Sequence, residues 1–143
     1  VNDDVQPQEG RSAPRGRTGP PPGTPVTELR FHLPDLPRVR EVAEGEARGF
    51  GMSADVVSDL VIAVNEVATN AVTHGGDHAR LRMWRNGGDL YVEVRDEGAW
   101  KPGPQPGSVG GMGLWVCRLL AADLTVHAGE DGSTVTMRFP GKP

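Results

Sequence analysis

A single cysteine, Cys117, is all that the 143 residues contain, so neither an internal disulfide nor a cysteine-based zinc site is available. Long apolar runs are missing as well. No stretch approaches the ~20 residues of a membrane span, and the opening VNDDVQPQEG lacks the basic start and apolar segment of a secretory leader. The expectation is a cytoplasmic chain with no membrane partner. Positive charge is in deficit: the formal net charge is −4, whereas nucleic-acid modules present a basic face, which speaks against direct nucleic-acid binding. Aromatics make up 5%, and Trp84, Trp100 and Trp115 are too scattered for a stacking platform; Trp115 reads as core or interface. With 36% hydrophobic residues, one modest core is expected. No internal repeat is evident.

What is present divides at residue 26. Residues 1–25 are rich in Gly and Pro with almost nothing apolar, so they read as a disordered tail, and 26–143 as one domain. From Thr27, TELRFHL places Leu29, Phe31 and Leu33 on one face, as in a half-buried strand that Pro34 ends. A helix follows from about Leu36, with Asp35 as its N-cap and Val39, Val42, Ala43, Ala47 and Phe50 as its buried stripe. Gly49 and Gly51 close it, and Ser53 caps the next helix. Beyond His74 the apolar period changes to two in ARLRMWR and LYVEVRD, joined by Asn86-Gly87-Gly88-Asp89, a hairpin turn. A Gly/Pro-rich connection, Ala99 to Gly110, reads as a lid. The chain is helical again from Gly113, where Cys117 is most simply a small core residue, and a last hairpin turns at Glu130-Asp131-Gly132. The order of elements suggests an α+β fold, a two-layer sandwich with a mostly antiparallel sheet covered by helices on one face.

The most informative stretch is DLVIAVNEVATNAVTHGG, Asp59 to Gly76. Leu60, Val64, Val67, Ala68 and Ala71 recur at helical steps. Glu66 and Asn70 stand four apart and stack on one face. Such a pair is either an ordinary solvated helix face or a site for metal-phosphate chemistry, with Asn70 offering a carbonyl oxygen to Mg²⁺ and Glu66 orienting or deprotonating a hydroxyl. Three features favour the second reading. Asp96 ends a strand and is followed at once by Glu97-Gly98, so it can accept from an exocyclic amine while Gly98 lets backbone approach a flat ligand. Gly110-Gly111-Met112-Gly113 opens a helix whose free N–H groups suit phosphate. Ser133 or Thr134, at the start of the last strand, can place a hydroxyl beside Asp96.

A helix with Glu66 and Asn70, a strand ending in Asp96-x-Gly98, a lid, and Gly111-x-Gly113-Leu114 on a helix resemble the Bergerat-fold ATPases shared by gyrase, MutL and histidine kinases. Within them the chain is most similar to the small bacterial anti-sigma-factor serine/threonine kinases, over about Thr27 to Pro140. NEVATNAVTHG and GGMGLWVCRLLAADL carry the resemblance, and GSTVTMRFP fits the last strand pair. It implies ATP and Mg²⁺ as cofactors, Glu66 as catalytic base, Asn70 as the metal ligand, and Asp96 on the adenine amine. It further implies Gly98 under the base, Gly111, Met112, Gly113 and Leu114 around the phosphates, and a hydroxyl from Ser133 or Thr134 supporting the adenine. The implied partners are a sigma factor and an anti-anti-sigma antagonist, and a homodimer is compatible with the family.

Two departures stand out. Trp100 replaces the second glycine of the first glycine box, and Val109 stands where some of these kinases carry a phosphate-reaching arginine; Arg118 on the following helix is a candidate substitute. The implied function is thus an anti-sigma regulatory kinase, with an ATP-gated interaction module lacking phosphoryl transfer as the alternative. A detached ATP-binding half of a histidine kinase is less supported, because no dimerisation helix with a phospho-accepting histidine precedes the domain.

Overall fold

The computed structural model describes residues 19–75, 78–96, 109–129 and 132–141. Strand β1 (Thr27–His32) leads through a 3-10 turn (Leu33–Asp35) into α1 (Leu36–Gly49) and α2 (Ala54–Asn70), which continues as a π turn (Ala71–Gly75). The hairpin β2 (His78–Asn86) and β3 (Asp89–Asp96) comes next, then α3 (Val109–Leu120) and the hairpin β4 (Asp123–Gly129) and β5 (Gly132–Pro140). The five strands lie in the order β1-β2-β3-β5-β4, every neighbouring pair antiparallel. This is the expected α+β architecture. The expected tail lies outside the described residues up to position 18, and so do Gly98, Trp100 and most of the expected lid.

Alternation along the strands puts Phe31, Leu81, Leu90, Val92, Val94, Met137 and Phe139 on one sheet face, all essentially inaccessible. Onto that face α1 presents Val39, Ala43 and Ala47, and α2 presents Val57, Leu60, Ala63, Val64, Val67 and Ala68. The alanines let the helices approach the sheet and each other closely. Helix α2 with its π turn, Ala54–Thr73, is the one described helix long and apolar enough to cross a membrane; its apolar stripe is instead spent on this core.

Local chemistry explains the boundaries. Gly51 adopts φ 88°, and its N–H donates to Arg48 O at 2.9 Å while Met52 N–H donates to Ala47 O at 3.2 Å. That pair of bonds ends α1 in a Schellman motif, which needs the left-handed conformation that glycine adopts without strain. Ser53 Oγ accepts from Val56 N–H at 3.3 Å and caps α2. Between β2 and β3, Gly87 and Gly88 both have positive φ (63° and 89°), the requirement of a two-residue type I′ turn.

Four expectations need correction. Asp35 does not cap α1 with its side chain: its carboxylate accepts from His32 N–H at 2.9 Å and closes the 3-10 turn instead. Leu33, expected on the buried face, belongs to that turn and is 52% exposed, because the strand ends one residue earlier. Helix α3 begins at Val109, four residues before Gly113. Trp115 projects from α3 with 60% of its surface exposed, so it is no core residue.

Candidate nucleotide site

Glu66 and Asn70 sit where the regular winding of the central helix ends. Asn70, the last residue of α2, is 5% exposed, and Glu66, one turn earlier, is half-buried. Immediately after Asn70 the helix widens into the π turn, a device frequent at functional sites. Thr73 Oγ1 donates to Thr69 O at 2.7 Å, a back-bond to the carbonyl four residues earlier by which a hydroxyl competes with the helix backbone. No sequence reading anticipated this turn; the Thr four residues after Thr69 was the available signal. The π turn packs against β2 and β3, which brings the end of α2 to the strand that terminates in Asp96.

Asp96 lies in line with Leu90, Val92 and Val94 on the helix-covered face and is 3% exposed. In the β3–β5 register it stands opposite Ser133, itself 2% exposed. A carboxylate and a hydroxyl are therefore placed side by side at the same edge of the core, as a hydrogen-bonding ligand would require. Thr134 is different. One residue further along, it points to the outer face, where its Oγ1 accepts from Arg95 Nη1 at 3.3 Å. Of the two hydroxyls that the sequence left open, the register brings Ser133 and not Thr134 to Asp96.

Helix α3 packs on α2 through Cys117, whose Sγ donates to Ala63 O at 3.3 Å. Burial, reinforced by the Glu66 carboxylate, pushes the Cys117 thiol up to about 12, so Glu66 lies within electrostatic reach of α3. One to two turns before Cys117 are Gly110, Gly111 and Gly113, and of these Gly110 and Gly111 belong to the leading residues of α3, whose amides have no partner within the helix. Of Gly111, Met112, Gly113 and Leu114 the structure describes the backbone course alone.

This set fits the chemistry of a magnesium nucleotide. Among the described residues no group of three or more His, Cys, Asp or Glu side chains could hold a metal by itself. Mg²⁺ in phosphate sites takes one or two protein oxygens and completes its shell with phosphate and water, which matches Asn70 with Glu66 beside it. The buried pair Asp96 and Ser133 puts a carboxylate and a hydroxyl on adjacent strands.

None of the curated proteins matches the chain. Among solved structures, the RsbU and RsbW domains of Rv1364c from Mycobacterium tuberculosis share the fold, with TM-score 0.65 at 20% identity, covering 82% of this chain and 32% of that one. The histidine kinase domain of the blue-light activated histidine kinase EL346 from Erythrobacter litoralis follows with TM-score 0.53 at 24% identity, covering 73% of this chain and 58% of that one. A second structure of the Erythrobacter litoralis kinase has TM-score 0.52 at 24% identity, covering 73% and 40%. The chain thus spans about a third to somewhat over half the length of these structures. The family model of the histidine kinase-like ATPase domain matches residues 29–139, from β1 to the end of β5, and the chain belongs to that family of ATP-binding, Bergerat-fold domains.

Proposed function

We propose that this domain is an ATP- and Mg²⁺-dependent serine/threonine protein kinase of the anti-sigma type, holding a sigma factor and phosphorylating an antagonist of the anti-anti-sigma kind. The observation that carries the reading is the stacked pair on α2: a buried Asn70 and a half-buried Glu66, one turn apart, at the helix end that meets the Asp96 strand. In this reading Asn70 holds Mg²⁺ against the phosphates. Glu66 takes the proton of the substrate hydroxyl. Asp96 accepts from the adenine amine with Ser133 beside it, Gly98 packs against the base, and the backbone of Gly111 to Leu114 receives the phosphates. Bound Mg²⁺ supplies charge neutralisation on the phosphoryl group. The fold shared with the RsbU and RsbW domains supports the regulatory side of the reading.

The second reading is an ATP-gated interaction module of the same fold without transfer. Val109 favours it: the first residue of α3 is apolar, where an arginine on the terminal phosphate would be worth roughly 10³-fold or more. The deciding experiment incubates radiolabelled ATP with the protein and an antagonist recovered by pull-down with and without ATP. The kinase reading expects phosphoserine or phosphothreonine, reduced at least about a hundredfold in Glu66→Gln at equal nucleotide occupancy. Absence of transfer with wild type, while ATP still alters partner affinity, replaces the kinase with the gated module.

A further inference from the structure

The sheet face turned away from the helices carries a feature that the nucleotide site does not use. Arg30 on β1 pairs in register with Arg80 on β2, and Arg80 with Arg95 on β3. Three guanidinium side chains therefore stand in one row across three adjacent strands, and like charges directly opposite one another weaken a sheet. Local carboxylates offset the row only in part. Glu28 approaches Arg80 at 3.5 Å, while Glu93 is committed to Arg82 through bonds of 2.7 and 3.1 Å. Among the described residues Arg30 and Arg95 have no ion pair, and Arg95 donates to the Thr134 hydroxyl. The row is accessible: Arg30 is exposed, the Arg80 side chain retains 41% of its surface in solvent, and with His78 the arginines line a small cavity of about 50 Å³.

From this geometry we infer that the arginine row is a docking surface for an acidic helix of a partner protein. Adjacent strands lie about 4.8 Å apart, so the row spans about 10 Å from Arg30 to Arg95. Carboxylates at i, i+4 and i+7 of a helix cover about 10 Å along its axis. At i, i+2 and i+4 of an extended segment they cover about 13 Å, and they match the row less well. The helix lies across the strands, its acidic stripe over Arg30, Arg80 and Arg95. The row is back to back with the candidate nucleotide site, since Arg95 and Thr134 adjoin Asp96 and Ser133 on the reverse face. The inference does not depend on the kinase reading.

The test is fluorescence anisotropy with a labelled alanine-based helical peptide bearing glutamates at i, i+4 and i+7, beside a scrambled peptide of equal charge. The triple variant Arg30→Gln/Arg80→Gln/Arg95→Gln should lose at least about tenfold in affinity for the patterned peptide. Arg30→Gln alone, at an exposed position where folding is not at stake, should lose about threefold. Binding should weaken between about 50 and 200 mM salt. Equal affinity in wild type and variants, or equal affinity for the scrambled peptide, overturns the proposal. So does failure to bind the peptide while duplex DNA or phosphatidylserine vesicles bind through the same arginines.

Discussion

Asp96 and Ser133 face each other across β3 and β5, both almost wholly buried, while their neighbours Arg95 and Thr134 pair on the opposite side of the same sheet. Two hydroxyls adjacent in sequence are thereby given different surroundings. Asp96→Asn should weaken ATP binding about ten- to a hundredfold, the equivalent of the roughly 1.5 to 3 kcal/mol of a hydrogen bond to a charged group. Ser133→Ala should cost less, about 0.5 to 1.5 kcal/mol, and Thr134→Ala should leave ATP affinity unchanged. Calorimetry with ATP and GTP checks all three, with ATP preferred because guanine presents a carbonyl where adenine presents an amine. A loss in Thr134→Ala equal to that in Ser133→Ala would contradict the assignment.

On the central helix, metal holding and proton transfer should separate. Asn70→Ala should abolish the Mg²⁺ dependence of ATP affinity, because its amide oxygen is the proposed protein ligand to the metal. Glu66→Ala should bind Mg²⁺-ATP nearly as wild type does, since a general base contributes to the transition state rather than to nucleotide binding. Titrations with and without Mg²⁺ distinguish the two. Full Mg²⁺-dependent affinity in Asn70→Ala would remove it from the metal site.

The Arg82 and Glu93 pair braces the outer face. Glu93 is 4% exposed, and its carboxylate accepts from Arg82 Nε and Nη2, which raises the arginine's affinity for its proton further. Arg82→Ala strands that carboxylate away from water and should destabilise the fold by about 3 kcal/mol. Arg82→Ala/Glu93→Met, which removes both charges, should recover much of the loss. Urea denaturation of the single and double variants reads the difference. Equal stability of Arg82→Ala and wild type would show that the pair is solvated and contributes little.

Cys117 should be inert toward thiol reagents at neutral pH in the native protein, since its thiol is buried and titrates at about 12 instead of 9.0. Because the folded-state value lies above the unfolded one, its contribution to stability is fully present below pH 9.0 and is lost as pH rises toward about 12. Cys117→Ala should lack this alkaline loss, although the smaller side chain lowers stability at pH 7. Melting temperatures of both proteins from pH 8 to 11 provide the check. Parallel profiles would mean that the thiol titrates normally.

The residues themselves determined most of the architecture. Period-two apolar patterns in ARLRMWR and LYVEVRD, the Gly87-Gly88 turn, and the helical stripe of Leu60, Val64, Val67 and Ala68 each follow from local geometry, and local geometry is written in sequence. Ser53 and Gly51 mark helix ends for the same reason. The spacing that stacks Glu66 on Asn70 was legible because a helix turn fixes it. What only tertiary structure decided depends on which strand meets which and in what register. Neither Ser133 nor Thr134 reveals by itself which of them shares a face with Asp96, since a one-residue shift inverts every side chain. The π turn after Asn70 lies where α2 meets β2 and β3, and Thr73 alone does not announce it, since a Thr four residues after another residue also occurs in unbroken helices. Arg30, Arg80 and Arg95 are far apart along the chain and unremarkable singly; pairing β1, β2 and β3 sets them side by side, and only that pairing turns three scattered charges into a row.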